Sequence, residues 1–346
     1  MKRFIEATAA LWHAPPSVIS ELNADRVFVA LLREVCAERG VRLIPFSDAW
    51  LLCLEHGGRR SYTLGYDFGL SSATAKMIAK DKSATSDVLG FHGLPRIEHR
   101  IFHSPQIAPY VGSAGNWAAM LAFFEEHGRD LVCKPNEGTG GLGVTRVRTP
   151  LALEAAVTRL FQRERALCLA PFEPITVEYR VALLRGRVEF LYRKERPALH
   201  GDGRSTRRAL LCDWLKTGRD FAASARQLAE AAAELDAPDS VPAAGEAFIV
   251  NWRHNLGQGA VPQPLAVDAP ENQAVCALAV RAAAAVGIEL ASIDVVESAG
   301  ELKVLEINSG IMMESLARSS VQGRAVARRF YDRIVCALFD LDPEVA

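Results

Sequence analysis

The stretch that most restricts how this chain can fold is residues 291–308, ASIDVVESAGELKVLEIN. Two runs rich in β-branched and apolar residues flank Glu297-Ser298-Ala299-Gly300, which marks a β-hairpin with a short loop. Side chains alternate along a strand, so Glu306 and Asn308 share one face while Leu305 and Ile307 share the other. A three-residue loop at 298–300 sets Asp294 opposite Val304, on the Glu306 face and diagonal to Glu306. Two carboxylates and an amide oxygen then converge beside an apolar layer. Such hard oxygen donors, with room left for water or phosphate, suit Mg²⁺.

A chain of 346 residues exceeds one typical domain, so two or three lobes are expected around that hairpin. With 40 Lys and Arg against 41 Asp and Glu, there is no overall basic surface to recruit nucleic acid or an anionic membrane. The 7 cysteines show neither CxxC spacing nor a Cys/His metal pattern, which fits a reducing cytoplasm. Met1-Lys2-Arg3 is followed by apolar residues, but Glu6 interrupts the run and no small-residue cleavage pattern follows. No segment is apolar for long enough to span a bilayer.

Apolar spacing predicts a helix over 25–38, then a strand over 41–45 and a hairpin of 51–55 with 61–66 around Gly57-Gly58. A single helix is expected over 73–89, another over 116–127, and a buried strand over 131–135 that carries one lysine. Thr149 as N-cap with Pro150 at the first helical position starts a helix running to about 165. Strands 177–184 and 187–192 pair around Arg185-Gly186, and an alanine-rich helix is expected over 221–235. A capping box at 268–271 begins a helix stopped by Gly287, and a final amphipathic helix covers 324–339.

Gly138-Thr139-Gly140-Gly141-Leu142-Gly143 satisfies GxGxxG literally. A dinucleotide fingerprint needs a helix directly after the glycines, whereas 144–148 reads as a strand. A glycine-rich loop between antiparallel strands is instead a flap whose N–H groups can close over phosphates, and no lysine follows to make a P-loop. Lys134 lies in the apolar strand before the flap, where an anionic ligand is the expected partner.

A lysine strand with a glycine flap, a basic segment and an acidic strand pair ending in Glu-x-Asn follow one another in an order that resembles the ATP-grasp superfamily. The segments are IAKDKSATSDVLGFHGLP, LVCKPNEGTGGLGV, VEYRVALLRGRV, RPALHGDGRST, RHNLGQGA, IDVV and VLEINSG, spread over residues 73–316. The GDG segment and the EYRV run look most like the branch of cyanophycin synthetase, glutathione synthetase and alpha-L-glutamate ligases. The resemblance implies an α+β / α/β fold, with a pre-ATP-grasp α/β lobe at 1–72. A small lobe with linker helices and the flap would follow at 73–170, and a large lobe with the metal site at 171–346, the two sandwiching ATP.

Carried over residue by residue, it implies that Lys82 and Lys134 contact ATP and that Gly138, Thr139, Gly140 and Gly141 cover its phosphates. Adenine would lie against the hinge at Leu169 and Phe172, with Glu178 on the ribose hydroxyls. Asp294, Glu306 and Asn308 would hold two Mg²⁺ ions, with Mn²⁺ as a substitute. Arg253 would stabilise the transferring phosphoryl group, and Arg180 and Arg196 would grip the carboxylate or acyl phosphate. Family members commonly place an acidic residue in the hinge, where this chain has Ala170-Pro171.

The implied activity is an ADP-forming ligase that joins a small carboxylate to an amine, such as amino acids or a short peptide. The alternative is a phosphotransferase that stops after phosphoryl transfer. A cytoplasmic homodimer with neither nucleic acid nor membrane as partner is expected. Residues 312–315 follow the metal-binding asparagine, which places Glu314 to pair with a substrate ammonium.

Overall fold

The computed structural model describes residues 26–112, 116–138, 140–216, 235–256 and 260–343. Leu31, Leu32 and Val35 lie on the buried stripe of helix α1 (Val27–Glu38), as their spacing predicts, with Phe28 buried beside them and Val27, expected in the same stripe, half-buried. Beside it lies an antiparallel sheet of β1 (Arg42–Phe46), β2 (Leu51–His56) and β3 (Arg59–Leu64). The β2–β3 turn is Gly57-Gly58, with φ of +56° and +76°, a conformation that glycine takes without steric cost.

The run expected as one helix over 73–89 is two, α2 (Ala73–Lys80) and α3 (Lys82–Phe91). Asp81 between them is extended, and its carboxylate accepts from the Ala84 N–H at 2.8 Å. An N-cap aspartate starts a new helix more favourably than it continues an old one. The break puts Lys82 in the first turn of α3, buried, with its N–H donated to the Asn136 carbonyl at 3.2 Å.

Next come β4 (Arg100–His103), α4 (Asn116–Glu126), β5 (Leu131–Pro135), β6 (Thr145–Val147), α5 (Pro150–Phe161) and β7 (Ala166–Pro171). The strands form a sheet in the order β4-β7-β5-β6, with α4 and α5 on one face. The Thr149 hydroxyl accepts from the Ala152 N–H at 3.1 Å, so the expected cap is in place. Thr145–Val147 is a strand paired with β5, so the glycines before it form a flap between antiparallel strands.

The remainder contains β8 (Ile175–Leu184), β9 (Arg187–Glu195), β10 (Ala198–His200), α6 (Arg207–Lys216), β11 (Ala247–Ile249) and β12 (Val261–Leu265). It continues through α7 (Gln273–Val286), β13 (Leu290–Ser298), β14 (Glu301–Asn308), α8 (Glu314–Ser319) and α9 (Val321–Phe339). The large sheet runs β12-β9-β8-β13-β14, and Val181, Leu183, Ile293 and Val295 on one face pack against α7, α2 and α3. Ala182, Phe190 and Tyr192 on the opposite face join the core made with α1 and α9. Gly287 stops α7 in the left-handed region, while its start is a short 3₁₀ turn, Pro270–Asn272, with no side-chain cap in place of the expected capping box. The alanine-rich helix expected over 221–235 lies outside the described residues except at Leu235. Among the described residues no helix is long and apolar enough to cross a membrane.

The hairpin of β13 and β14 forms, but with a two-residue loop: Ser298 pairs with Glu301 across Ala299-Gly300. That register alone would turn Asp294 toward Leu305 and away from Glu306. A β-bulge at Leu305 corrects it, so that Val295 faces Val304 while Asp294 faces Glu306 directly, rather than diagonally. The bulge has an external anchor. Val304 accepts from the Ile97 N–H and donates to the Pro95 carbonyl, each at 2.9 Å.

Candidate active site

Strand register builds one wall of the site. Across the large sheet, Phe190, Ala182, Ser292 and Asn308 form a first row on one face, and Tyr192, Arg180, Asp294 and Glu306 form a second. Lys194, Glu178 and Val296 form a third. This face lines a cavity of about 520 Å³, within the usual range for small-molecule sites. Leu305, expected with Ile307 on the opposite face, lines the cavity because the bulge carries it there.

The second and third rows make a closed charge network. Arg180 donates twice to Asp294, from Nε at 2.8 Å and Nη2 at 2.7 Å. Lys194 Nζ donates to Asp294 Oδ2 at 2.8 Å and also to Glu178. Burial works against a charged Asp294, yet Arg180 and Lys194 prevail and hold its carboxyl well below the usual range. Glu178 is displaced upward by burial and by the charges of Asp294 and Glu306, against the pull of Lys194. His254 sits 3.9 Å from Glu178 but is driven down to about 3 by burial and by Arg196 and Lys194. It is neutral at ordinary pH and a poor proton donor.

The small sheet supplies the facing wall. Lys134 and Val132 on β5 and Ala170 on β7 point into the cavity, whereas Leu131, Cys133 and Leu169 point into the core under α4 and α5. The Leu169 side chain therefore faces the core, and strand alternation turns Ala170 toward the cavity in its place. Ala170, Ile97, Ile175, Val296 and Leu305 pack together as an apolar slot. Phe172 lines the cavity beside it and carries the Arg146 guanidinium over its ring, 3.3 Å from the centroid. Burial lowers the affinity of Lys134 for its proton. Lys82 Nζ donates to the Gly138 carbonyl at 2.9 Å and lies 3.9 Å from Glu306 Oε2, linking the flap to the acidic strand.

Gly140, Gly141 and Gly143 have φ near +70°, which frees the flap from side-chain strain. Thr139 lies outside the described residues. Arg253 is buried on the cavity wall, and its guanidinium donates to the Val144 carbonyl at the end of the flap. Arg196 is half-buried and does not line the cavity; it is near enough to Glu178 and His254 for their charges to interact.

Glu306 and Asn308 are bonded to each other at 3.2 Å and face the cavity beside Asp294. Their oxygens suit a magnesium ion, although Asp294 shares both of its oxygens with cations. Among the described residues no group of three or more His, Cys, Asp and Glu is placed to hold a metal alone. A magnesium shell needs only one or two carboxylates when substrate phosphates and water supply the rest.

Glu314, expected to pair with a substrate ammonium, does not line the cavity. Its two oxygens accept from the Val27 and Phe28 N–H groups, each at 3.1 Å, and cap α1 across 287 and 286 positions. Sequence reasoning missed Lys194; its signal was an alternating position on β9, across the turn from Glu178 on β8.

Residues 239–330 match the RimK-like ATP-grasp domain. No curated protein matches the chain. Among solved structures, a bifunctional glutathione synthetase from Pasteurella multocida is similar, with a TM-score of 0.52 and 19% identity over 91% of this chain and 44% of that one. This chain thus spans less than half the length of that enzyme. D-alanine–D-alanine ligase from Bacillus anthracis aligns with a TM-score of 0.51 and 12% identity, over 78% of this chain and 69% of that one. At such identities the likeness is one of fold.

Proposed function

The chain has an ATP-grasp fold, and from that premise we propose that it is an ATP-dependent, ADP-forming ligase joining a small carboxylate to an amine. One observation carries this reading. A single cavity sets Lys82, Lys134 and a glycine flap against a wall bearing Glu306, Asn308 and Asp294. The apolar slot at Ala170 and Ile97 suits adenine, and the flap and the two lysines suit the phosphates.

In the reaction, a substrate carboxylate oxygen attacks the γ-phosphorus of ATP, the bond to the bridging oxygen breaks, and ADP leaves. The amine then attacks the acyl carbon, inorganic phosphate departs and the nitrogen loses a proton, leaving an amide. Glu306 and Asn308, with Asp294, would hold Mg²⁺, which supplies charge neutralisation on the phosphates. Lys134 and Lys82 neutralise and orient the phosphate oxygens. Arg253, fixed by its bond to the Val144 carbonyl, points a third cation at the same region. The flap excludes water while the acyl phosphate exists.

The test is an ADP-release screen over pairs of amino acids, with mass spectrometry of any product. An amide that requires the added amine supports the ligase; ADP and a phosphorylated acid without it would favour the phosphotransferase. Glu306→Ala should abolish ADP release, and retained wild-type turnover would remove Glu306 from the metal set.

A further inference from the structure

The cavity extends beyond what a nucleotide and its phosphates would use. The third row of the large sheet leads to the apolar slot at Ala170, the second is charged, and the first, Phe190-Ala182-Ser292-Asn308, faces the opposite end. There the wall is completed by Tyr66 from the N-terminal lobe, Leu256, and the segment after Asn308. Met313 and Leu316, buried at the edge of the core, line the cavity together with Met312, which is 57% exposed. A flexible thioether on a cavity wall adapts to apolar ligands of varied shape.

The charges at this end are already committed. Glu314 accepts from the first N–H groups of α1 and from the Tyr66 hydroxyl at 3.4 Å. Arg180 is held bidentate by Asp294. A substrate ammonium or carboxylate pushed past Asn308 would lose its water without a matching partner, a large penalty. A hydrocarbon side chain would meet Tyr66, Tyr192, Leu256 and Met312.

The geometry points to a chamber for the bulky apolar side chain of an amino-acid substrate, such as leucine, methionine or phenylalanine. This rests on the ligase reading for its chemistry. The reacting group of that amino acid lies at the second row, near Glu306 and Arg180, and its side chain lies in the chamber. Each methylene removed from the side chain lowers kcat/KM by about tenfold.

The experiment measures ADP release for pairs drawn from L-leucine, L-methionine, L-phenylalanine, glycine, L-aspartate and L-lysine, using the full chain. The same amino acids are then tested singly, with Mg²⁺ and a non-hydrolysable ATP analogue, for their shift of the melting temperature. Pairs containing an apolar amino acid are expected to exceed the others by at least tenfold. Met312→Asp is expected to raise the apolar amino acid's KM at least tenfold while the KM for ATP moves less than twofold. Equal rises in both KM values would overturn the chamber assignment. ADP release confined to glycine, aspartate or lysine pairs overturns it as well, yet leaves the ligase standing. Thermal stabilisation by apolar amino acids without any ADP release upholds the chamber and removes the ligase. Absence of both overturns both.

Discussion

Two lysines face each other across the cavity, and their surroundings are opposite. Lys194, on the large sheet, is 6% exposed and bonded to both Glu178 and Asp294. Lys134, on the small sheet, is 7% exposed and has no ion pair among the described residues. The attraction of Asp294 and Glu178 outweighs burial and repulsion by Arg180, and lifts the Lys194 proton affinity. Burial alone dominates at Lys134 and depresses it. A buried cation is tolerated when compensated: Lys194 is satisfied by its own fold, and on the proposed reading an ATP phosphate would compensate Lys134. The two walls thus divide the work: one holds a fixed charge network, and the other presents an unmet charge.

That contrast is open to attack. The largest effect is expected from Lys134→Met, which on the proposed reading removes a phosphate partner and should cut kcat for ADP release by about 10² to 10³, or roughly 3–4 kcal/mol of barrier. Its urea midpoint should hold or rise, since a desolvated ammonium is gone; a fall would show that Lys134 has a structural partner. Lys194→Met should do the reverse to the fold. It leaves Glu178 and Asp294 short of one cation and should cost about 3 kcal/mol in urea unfolding. A neutral result would dissolve the distinction between the two lysines.

A pH titration sharpens it further. His254 falls to about 3 in the fold, below its ordinary value of 6.5. Between those values the unfolded chain binds more protons, so stability should rise with pH from about 3 to 6.5 and level off above. The contribution is at most one proton, about 1.4 kcal/mol per pH unit. His254→Gln should flatten the slope by that amount, and an unchanged slope would mean that His254 takes up its proton in the folded state. The smallest effect is expected at Glu314→Ala, which strips the cap from α1 and should cost about 1 kcal/mol. A KM change for the amine with no loss of stability would restore the ammonium role to Glu314.

Local pattern made several parts legible in the sequence. The α1 stripe, the Thr149-Pro150 helix start and the flap before β6 all depend on residues within a few positions of one another. Strand alternation likewise placed Glu306 and Asn308 on one face. What escaped was register. The β8–β9 turn at Arg185-Gly186 would by simple counting put Lys194 opposite Val177, but a bulge near Ala182 shifts the pair to Glu178. The β13–β14 pair behaves the same way at Leu305, where the residues that fix the bulge lie at 95–97, about 200 positions away. The break at Asp81 had a local signal, an aspartate able to cap the helix that follows, and it is reinforced by partners at 136–137. At Leu305 the deciding hydrogen bonds are long-range.

The Leu305 bulge gives this hairpin a reading frame. Counting outward from Ala299-Gly300, every residue beyond the bulge occupies the face opposite to the one the turn alone would assign. Flattening the bulge with Leu305 retained would put Asp294 opposite Leu305, turn Glu306 and Asn308 toward α7 and carry Ile307 into the cavity. Deleting Leu305 would instead close the bulge and leave Asp294 opposite Glu306, because the residue removed is the unpaired one. The frame of the acidic face is therefore held by the anchor at Pro95 and Ile97, two residues with no titratable side chain.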